Sequence, residues 1–272
     1  MAEQTRSMTS DRTIGELLRE WRHRSRLSQL DLAIQAEVSP RHISFVETGR
    51  TIPSSAMVLH LAEQLRVPLR ERNRLLVAAG HAPVFREHPL HDPDLARVRE
   101  TVQQVLLGHE PYPALAVDRR WNLLAANSAV DVFLQGADPA LLKPPINMMR
   151  VGLHPDGLAP RLRNLEHVRG YLLPRLAHQA ARTGDPHLHA LYEELAEFGP
   201  APEPPPPPDP TEIALHIRLA HHGAELCLVN TVTTFGAAFD ITLDEIAIEA
   251  YFPADLATRG FFRTSGTSDD PP

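Results

Sequence analysis

The sequence holds one cysteine, one lysine and few aromatic residues. Cys227 alone rules out an intrachain disulfide, which suits a reducing cytoplasm. It lies in an apolar strand-like run and reads as a small buried residue. Lys143 is the single lysine among 27 basic residues. Beside abundant alanine and proline, this reads as the codon usage of a high-GC bacterium. No apolar run approaches the roughly 20 residues that a membrane helix needs. The N-terminus, MAEQTRSMTSDRT, has no apolar signal-peptide core. A glycine-rich phosphate loop, a nucleophile elbow and an HExxH pair are also missing. The expectation is a cytoplasmic protein with no catalytic residues, no cofactor and no membrane partner. Fifteen histidines do not change this. His187 and His189 lie two apart on an expected helix and diverge. His221 and His222 are neighbours near a strand end and point oppositely. His88, His91 and Asp92 share a linker, and no metal is assigned to them.

At 272 residues the chain is long enough for two domains with their own cores. The net charge of −7 is unevenly spread. Residues 1–86 hold 13 arginines against 9 acidic residues, giving +4, and the remainder carries −11. A basic front on an acidic body suits DNA binding by one end. Within that front, SQLDLAIQAEVSPRHISFVETGR (Ser28 to Arg50) reads as two short helices around a tight turn. Ser28 caps the first, about Gln29 to Ala36, and Glu37 and Val38 form the turn. Ser39 caps the second, with Pro40 at its first position. That helix runs to about Thr48 and stops at Gly49. Ile43, Val46 and Glu47 share its inward side, and Arg41, Ser44, Phe45 and Thr48 the outward one. Such a pair is a helix-turn-helix able to lie in a DNA major groove.

These residues resemble the Xre/Cro-type domain of phage and bacterial repressors. Ser28-Gln29, Leu32-Ala33, the Ser39 cap, Ile43-Ser44 and Glu47-x-Gly49-Arg50 agree in register, within a likeness that covers about Thr13 to Leu76. The resemblance implies that Gln29 and Ser39 grip phosphates, and that Pro40, Arg41, Ser44 and Phe45 face base edges. His42 falls within the same surface, and Arg50 stands where a phosphate contact is expected. A buried structural ion pair between Arg22 and Glu47 is implied as well. Two positions depart from the pattern. Glu37 stands where glycine is usual and has to accept a positive φ. Phe45 replaces a polar reader, and its ring either touches a thymine methyl or packs on the protein. The implied partner is a double-stranded DNA operator, bound by a homodimer on two half-sites.

A second resemblance begins at Arg72 to Gly80, followed by His81-Ala82-Pro83. It continues in Pro113-Ala-x-x-Val-Asp-x-x-Trp121-x-x-x-x-x-Asn127 and in Asn147 to Leu153. These stretches look like the MmyB-like transcription regulators, which join an Xre-type domain to a PAS-like ligand-binding domain. The implied fold class is α+β: an all-α five-helix unit, then a PAS-like α/β domain with a five-stranded antiparallel sheet. Strands are expected in Tyr112–Asp118, Arg120–Ala125, Glu212–Ala220, Glu225–Phe235 and Leu243–Phe252. Expected boundaries are a tail at 1–12, the DNA-binding domain at 13–86, a linker and connecting helix at 87–110, the PAS-like domain at 111–258 and a polar tail at 259–272. A proline-rich insertion spans 199–210. A PAS-like sheet can enclose an apolar cavity. Candidate liners are Trp121, Phe133, Met148, Met149, Tyr171, Leu228 and Phe235, although such residues also build ordinary cores. Arg150 either anchors a ligand carboxylate or makes a surface salt bridge. Asn127 reads as a backbone-bonding structural residue. The expected function is sequence-specific transcription regulation, with a small apolar, fatty-acid-like molecule bound by the C-terminal domain. The alternative is a C-terminal domain that only dimerises or binds a protein partner.

Overall fold

A computed structural model describes residues 12–200, 215–236 and 238–265. The expected tail at 1–12 and the proline-rich insertion lie almost wholly outside these residues, as does the start of the strand expected at Glu212. The chain forms two compact units. No helix among the described residues is long and apolar enough to cross a membrane.

The first unit comprises residues 12–88 and 238–244. Its main body is five helices: α1 (Ile14–Arg24), α2 (Gln29–Gln35), α3 (Pro40–Glu47), α4 (Ser55–Gln64) and α5 (Leu69–Ala78). Local chemistry sets their starts. Thr13 and Glu16 form a capping box on α1, Ser28 and Asp31 form one on α2, and Ser39 and Ser54 cap α3 and α4. Glu37 takes φ +53° in the turn, as its place there requires. One core holds Leu18, Trp21, Leu32, Ile43, Val46, Val58, Leu61 and Leu76. Gly15 fits against the end of α3, where an added Cβ would lie 2.6 Å from the Glu47 carbonyl oxygen.

Helix α5 starts at Pro68, which offers no side-chain cap. The missing acceptor comes from much later in the chain. Asp244 lies at the end of α11 (Ile241–Asp244), and its Oδ2 accepts from the Leu69 amide at 3.1 Å. The same segment is tied down by His88, whose Nδ1 meets Asp240 Oδ2 at 2.7 Å, and by the Ile241 amide donating to the Arg86 carbonyl. Leu243 and Asp244 were expected in a strand and are helical instead. Asp240 Oδ1 accepts from the Thr242 amide and starts a turn of helix there.

The second unit is built on a five-stranded antiparallel sheet, as the α+β fold class requires. Its strands are β1 (Ala114–Val117), β2 (Leu123–Ala126), β3 (His216–His221), β4 (Ala224–Thr234) and β5 (Ala247–Pro253), in the order β2-β1-β5-β4-β3. Side chains alternate across it. Ala114, Ala116 and Ile248 face α6 (Ala96–Gly108), packing with Val102 and Leu106. Leu115, Val117, Leu219, Leu226 and Leu228 face the larger core. That core is closed by α7 (Asp131–Leu134), α8 (Met148–Leu153), α9 (Leu165–Thr183), α10 (Pro186–Ala196) and α12 (Leu256–Ser265). Residues 259–265, expected as polar tail, are therefore helical, and Phe262 is buried. Asn127 is a backbone-bonding residue: its side chain donates to the carbonyls of Leu106 and Tyr112 and accepts from the Ala114 amide.

Candidate DNA-reading surface and ligand cavity

Helix α3 sits on a buried charge network. Arg22 on α1 donates to both Glu47 carboxylate oxygens, Nε at 2.7 Å and Nη2 at 2.9 Å. The Glu47 side chain is fully buried. Burial works to raise its pKa, but hydrogen bonds from Arg22 and Gln29 and the Arg22 charge outweigh it, so the carboxyl titrates below its ordinary value. The ion pair implied by the resemblance is thus present in full geometry.

The other surface residues sit in different settings. Arg41 and Arg50 are exposed, and both guanidiniums stand over the Phe45 ring, at 4.9 and 5.6 Å from its centroid. The ring therefore packs on two arginines at the surface. Ser39 and Pro40 are exposed at the start of α3, where the Ser39 hydroxyl oxygen accepts from the His42 amide. Ser44 is half-buried, and its carbonyl accepts from the Thr48 hydroxyl. Gln29 is turned inward. Its amide donates to Glu47 Oε2 at 2.8 Å, so it braces the ion pair in this state. His42 Nε2 is buried and has no hydrogen-bond partner among the described residues.

The second unit contains a cavity of about 70 Å³ against the inner sheet face. By volume it takes roughly five water molecules. Trp121, Phe133, Met148 and Met149 line it, as anticipated. Four other candidates do not. Tyr171 points outward and is half exposed, and Leu228 lies within the solid core. Phe235 packs with the cluster on the opposite sheet face. Arg150 is held by Glu194, Nε to Oε1 and Nη2 to Oε2, both at 2.7 Å, and is the salt bridge rather than the anchor. Trp121 is held at the cavity wall with φ +68°, an unusual conformation for so bulky a residue. Its indole donates to Gln179 Oε1, its carbonyl accepts from the Met148 amide, and Arg175 stacks on its ring at 4.5 Å.

Three polar residues on the same wall escaped sequence reasoning: Asn230, Glu249 and Tyr251. Asn230 and Tyr251 are cross-strand partners on β4 and β5. The Tyr251 hydroxyl donates to Glu249 Oε2 at 3.0 Å, and Arg175 approaches Glu249 Oε1 at 3.4 Å. Burial pushes the Glu249 carboxyl up, against the pull of Arg175 and the Tyr251 hydrogen bond. The signal that marks them is periodic. In β4 the inward positions run Leu226, Leu228, Asn230, and in β5 Ala247, Glu249, Tyr251, so polar groups fall where the alternation asks for apolar ones. Among the described residues, no group of three or more His, Cys, Asp or Glu is placed to hold a metal ion.

Two family models match the chain. One describes a helix-turn-helix domain and covers residues 13–75. The other describes the ligand binding domain of MmyB-like transcription regulators and covers residues 98–264. No curated protein matches the chain significantly.

Proposed function

The chain belongs to the MmyB-like transcription regulators, and from that premise we propose how its DNA-binding and ligand-binding parts work. It is a helix-turn-helix regulator with a ligand-binding domain. In our reading, α3 enters the major groove of an operator, with Arg41 and Ser44 toward base edges and Phe45 presented between Arg41 and Arg50. Ser39 and Arg50 take phosphates, and Pro40 and His42 belong to the same face. Gln29 takes a phosphate with the second N–H of its amide, the first being held by Glu47. A homodimer on two half-sites supplies the length of sequence that one helix cannot read. The DNA-binding domain spans 13–86, the ligand-binding domain 111–258 extended through α12, and the protein works in the cytoplasm without catalysis.

The effector is a small apolar molecule held by Trp121, Phe133, Met148 and Met149. The observation that supports this is the cavity itself, walled by aromatic, methionine and aliphatic side chains on the inner sheet face. Effector binding alters operator affinity by favouring one of two states of the regulator, to the extent of its differential affinity for them. Selection from a random pool of duplexes with the full chain tests the DNA half. A defined site is expected to emerge, and Arg41→Ala is expected to weaken it by about 1–3 kcal/mol. Enrichment of no common sequence would overturn this reading.

A further inference from the structure

The turn between β3 and β4 borders a second recess. Ile217 and Leu219 pack in the larger core, and the strand alternation puts His221 on the same side. His221 is only 7% exposed. His222 and Gly223 follow with φ +46° and +81° and make the turn. His221 and His222, expected to point oppositely, therefore meet, with ring centroids 4.3 Å apart. The recess measures about 390 Å³. Arg163, His221, His222 and Glu225 line it, and none of them lines the apolar cavity.

One side of His221 fixes what the other side offers. Arg161 Nη2 donates to His221 Nδ1 at 2.9 Å. A guanidinium can only donate, so Nδ1 carries no proton and the neutral ring holds its proton on Nε2. Burial lowers the His221 pKa, and the neighbouring His222 and Arg161 lower it further, which keeps the ring neutral. The Nε2–H has no hydrogen-bond partner among the described residues, on a nearly buried ring that lines the recess. Such a donor needs an acceptor.

The charges here favour an anionic one. The other Arg161 donors go to the carbonyls of Val132, Gln135 and Ala220, so all its acceptors are neutral. Arg163 is exposed, and its side chain has no partner among the described residues. Glu225 is already taken by Arg218, whose Nε donates to Oε1 at 2.7 Å. Two guanidiniums, one behind His221 and one in the lining, are thus matched by no carboxylate among the described residues. A neutral acceptor would satisfy the imidazole and leave both charges unanswered. An oxyanion answers all three groups.

We propose that this recess is a second ligand site, for the phosphate group of a small molecule, with His221 Nε2–H and Arg163 as its donors and Arg161 as the fixed charge behind His221. A phosphate dianion matches the two guanidinium charges, which a single carboxylate does not. The site stands apart from the apolar cavity and does not depend on how that cavity is read.

The test titrates the full chain, with nitrogen-15 in its histidines, with inorganic phosphate at neutral pH. Sodium chloride at the same ionic strength is the control. The His221 ring-nitrogen signals are expected to shift saturably while keeping the pattern of the Nε2–H tautomer, and chloride is expected to leave them in place. Arg163→Gln changes an exposed side chain and is expected to weaken phosphate about tenfold with an unaltered urea midpoint. Glycerol 3-phosphate separates the sources. Tighter binding than phosphate assigns the site to a phosphomonoester, and equal or weaker binding to free phosphate. Three results would overturn the proposal: no saturable shift with either compound up to about 20 mM, an equal response to chloride, or unchanged phosphate affinity in Arg163→Gln.

Discussion

Glu47 holds α3 through a charge it cannot keep in acid. Its pKa is depressed in the fold, so its stabilisation is present above the ordinary carboxylate value of about 4.5 and is lost as pH falls through the lower folded value. Urea midpoints of the full chain, followed on the DNA-binding unit, are expected to be steady near neutrality and to drop below pH 4.5. Glu47→Ala leaves the Arg22 guanidinium buried and unpaired, and is expected to cost about 3–5 kcal/mol at pH 7. Glu37→Gly tests the opposite case. It removes a side chain from φ +53° and is expected to stabilise by about 0.5–1 kcal/mol, read as a higher urea midpoint. At this scale the resemblance made Arg22 and Glu47 legible, since two residues 25 apart in the chain carry no local signal of their pairing. Gln29 was legible as a surface residue but not as a brace. Its contact with Glu47 depends on how α2 and α3 pack. Asn230 and Glu249 were visible as polar breaks in two apolar alternations, but only once the strand register says which face is inward.

The elements were legible where caps and periodicity agree. Helices α2 and α3 follow from the Ser28 and Ser39 caps, with Pro40 at the start of α3 and Gly49 after its end. One misread element is α11, because Ile246, Ile248 and Ala250 form a strand alternation directly after it and nothing local reveals that Asp244 caps another helix. Asp244→Ala is expected to destabilise the DNA-binding unit by about 1 kcal/mol and to raise amide exchange at the start of α5. An effect confined to residues around β5 would contradict this cap. Gly15 sets how closely α1 crosses α3. Gly15→Ala forces its methyl against the Glu47 backbone and is expected to cost about 1–3 kcal/mol, measured as thermal and urea destabilisation.

Over the whole molecule, the chain leaves the ligand-binding sheet at the end of β4, contributes residues 238–244 to the DNA-binding unit, and returns as β5. β4 and β5 carry Asn230, Glu249 and Tyr251 at the cavity wall. One excursion of the backbone therefore joins the strands that line the cavity to the residue that caps α5. That connection was not legible in the sequence, because it needs both the sheet order and the packing of α11. It makes the account's central claim specific: what fills the cavity changes how α3 binds DNA. The most direct measurement is the affinity of the full chain for its selected operator, comparing wild type with Gly152→Phe. Gly152 lines the cavity, and a Cβ there meets nothing within 4 Å, so the added ring stands in for an effector. With both proteins folded by circular dichroism, the account predicts that operator affinity shifts by about fivefold or more. Identical operator affinity for the two proteins would contradict it.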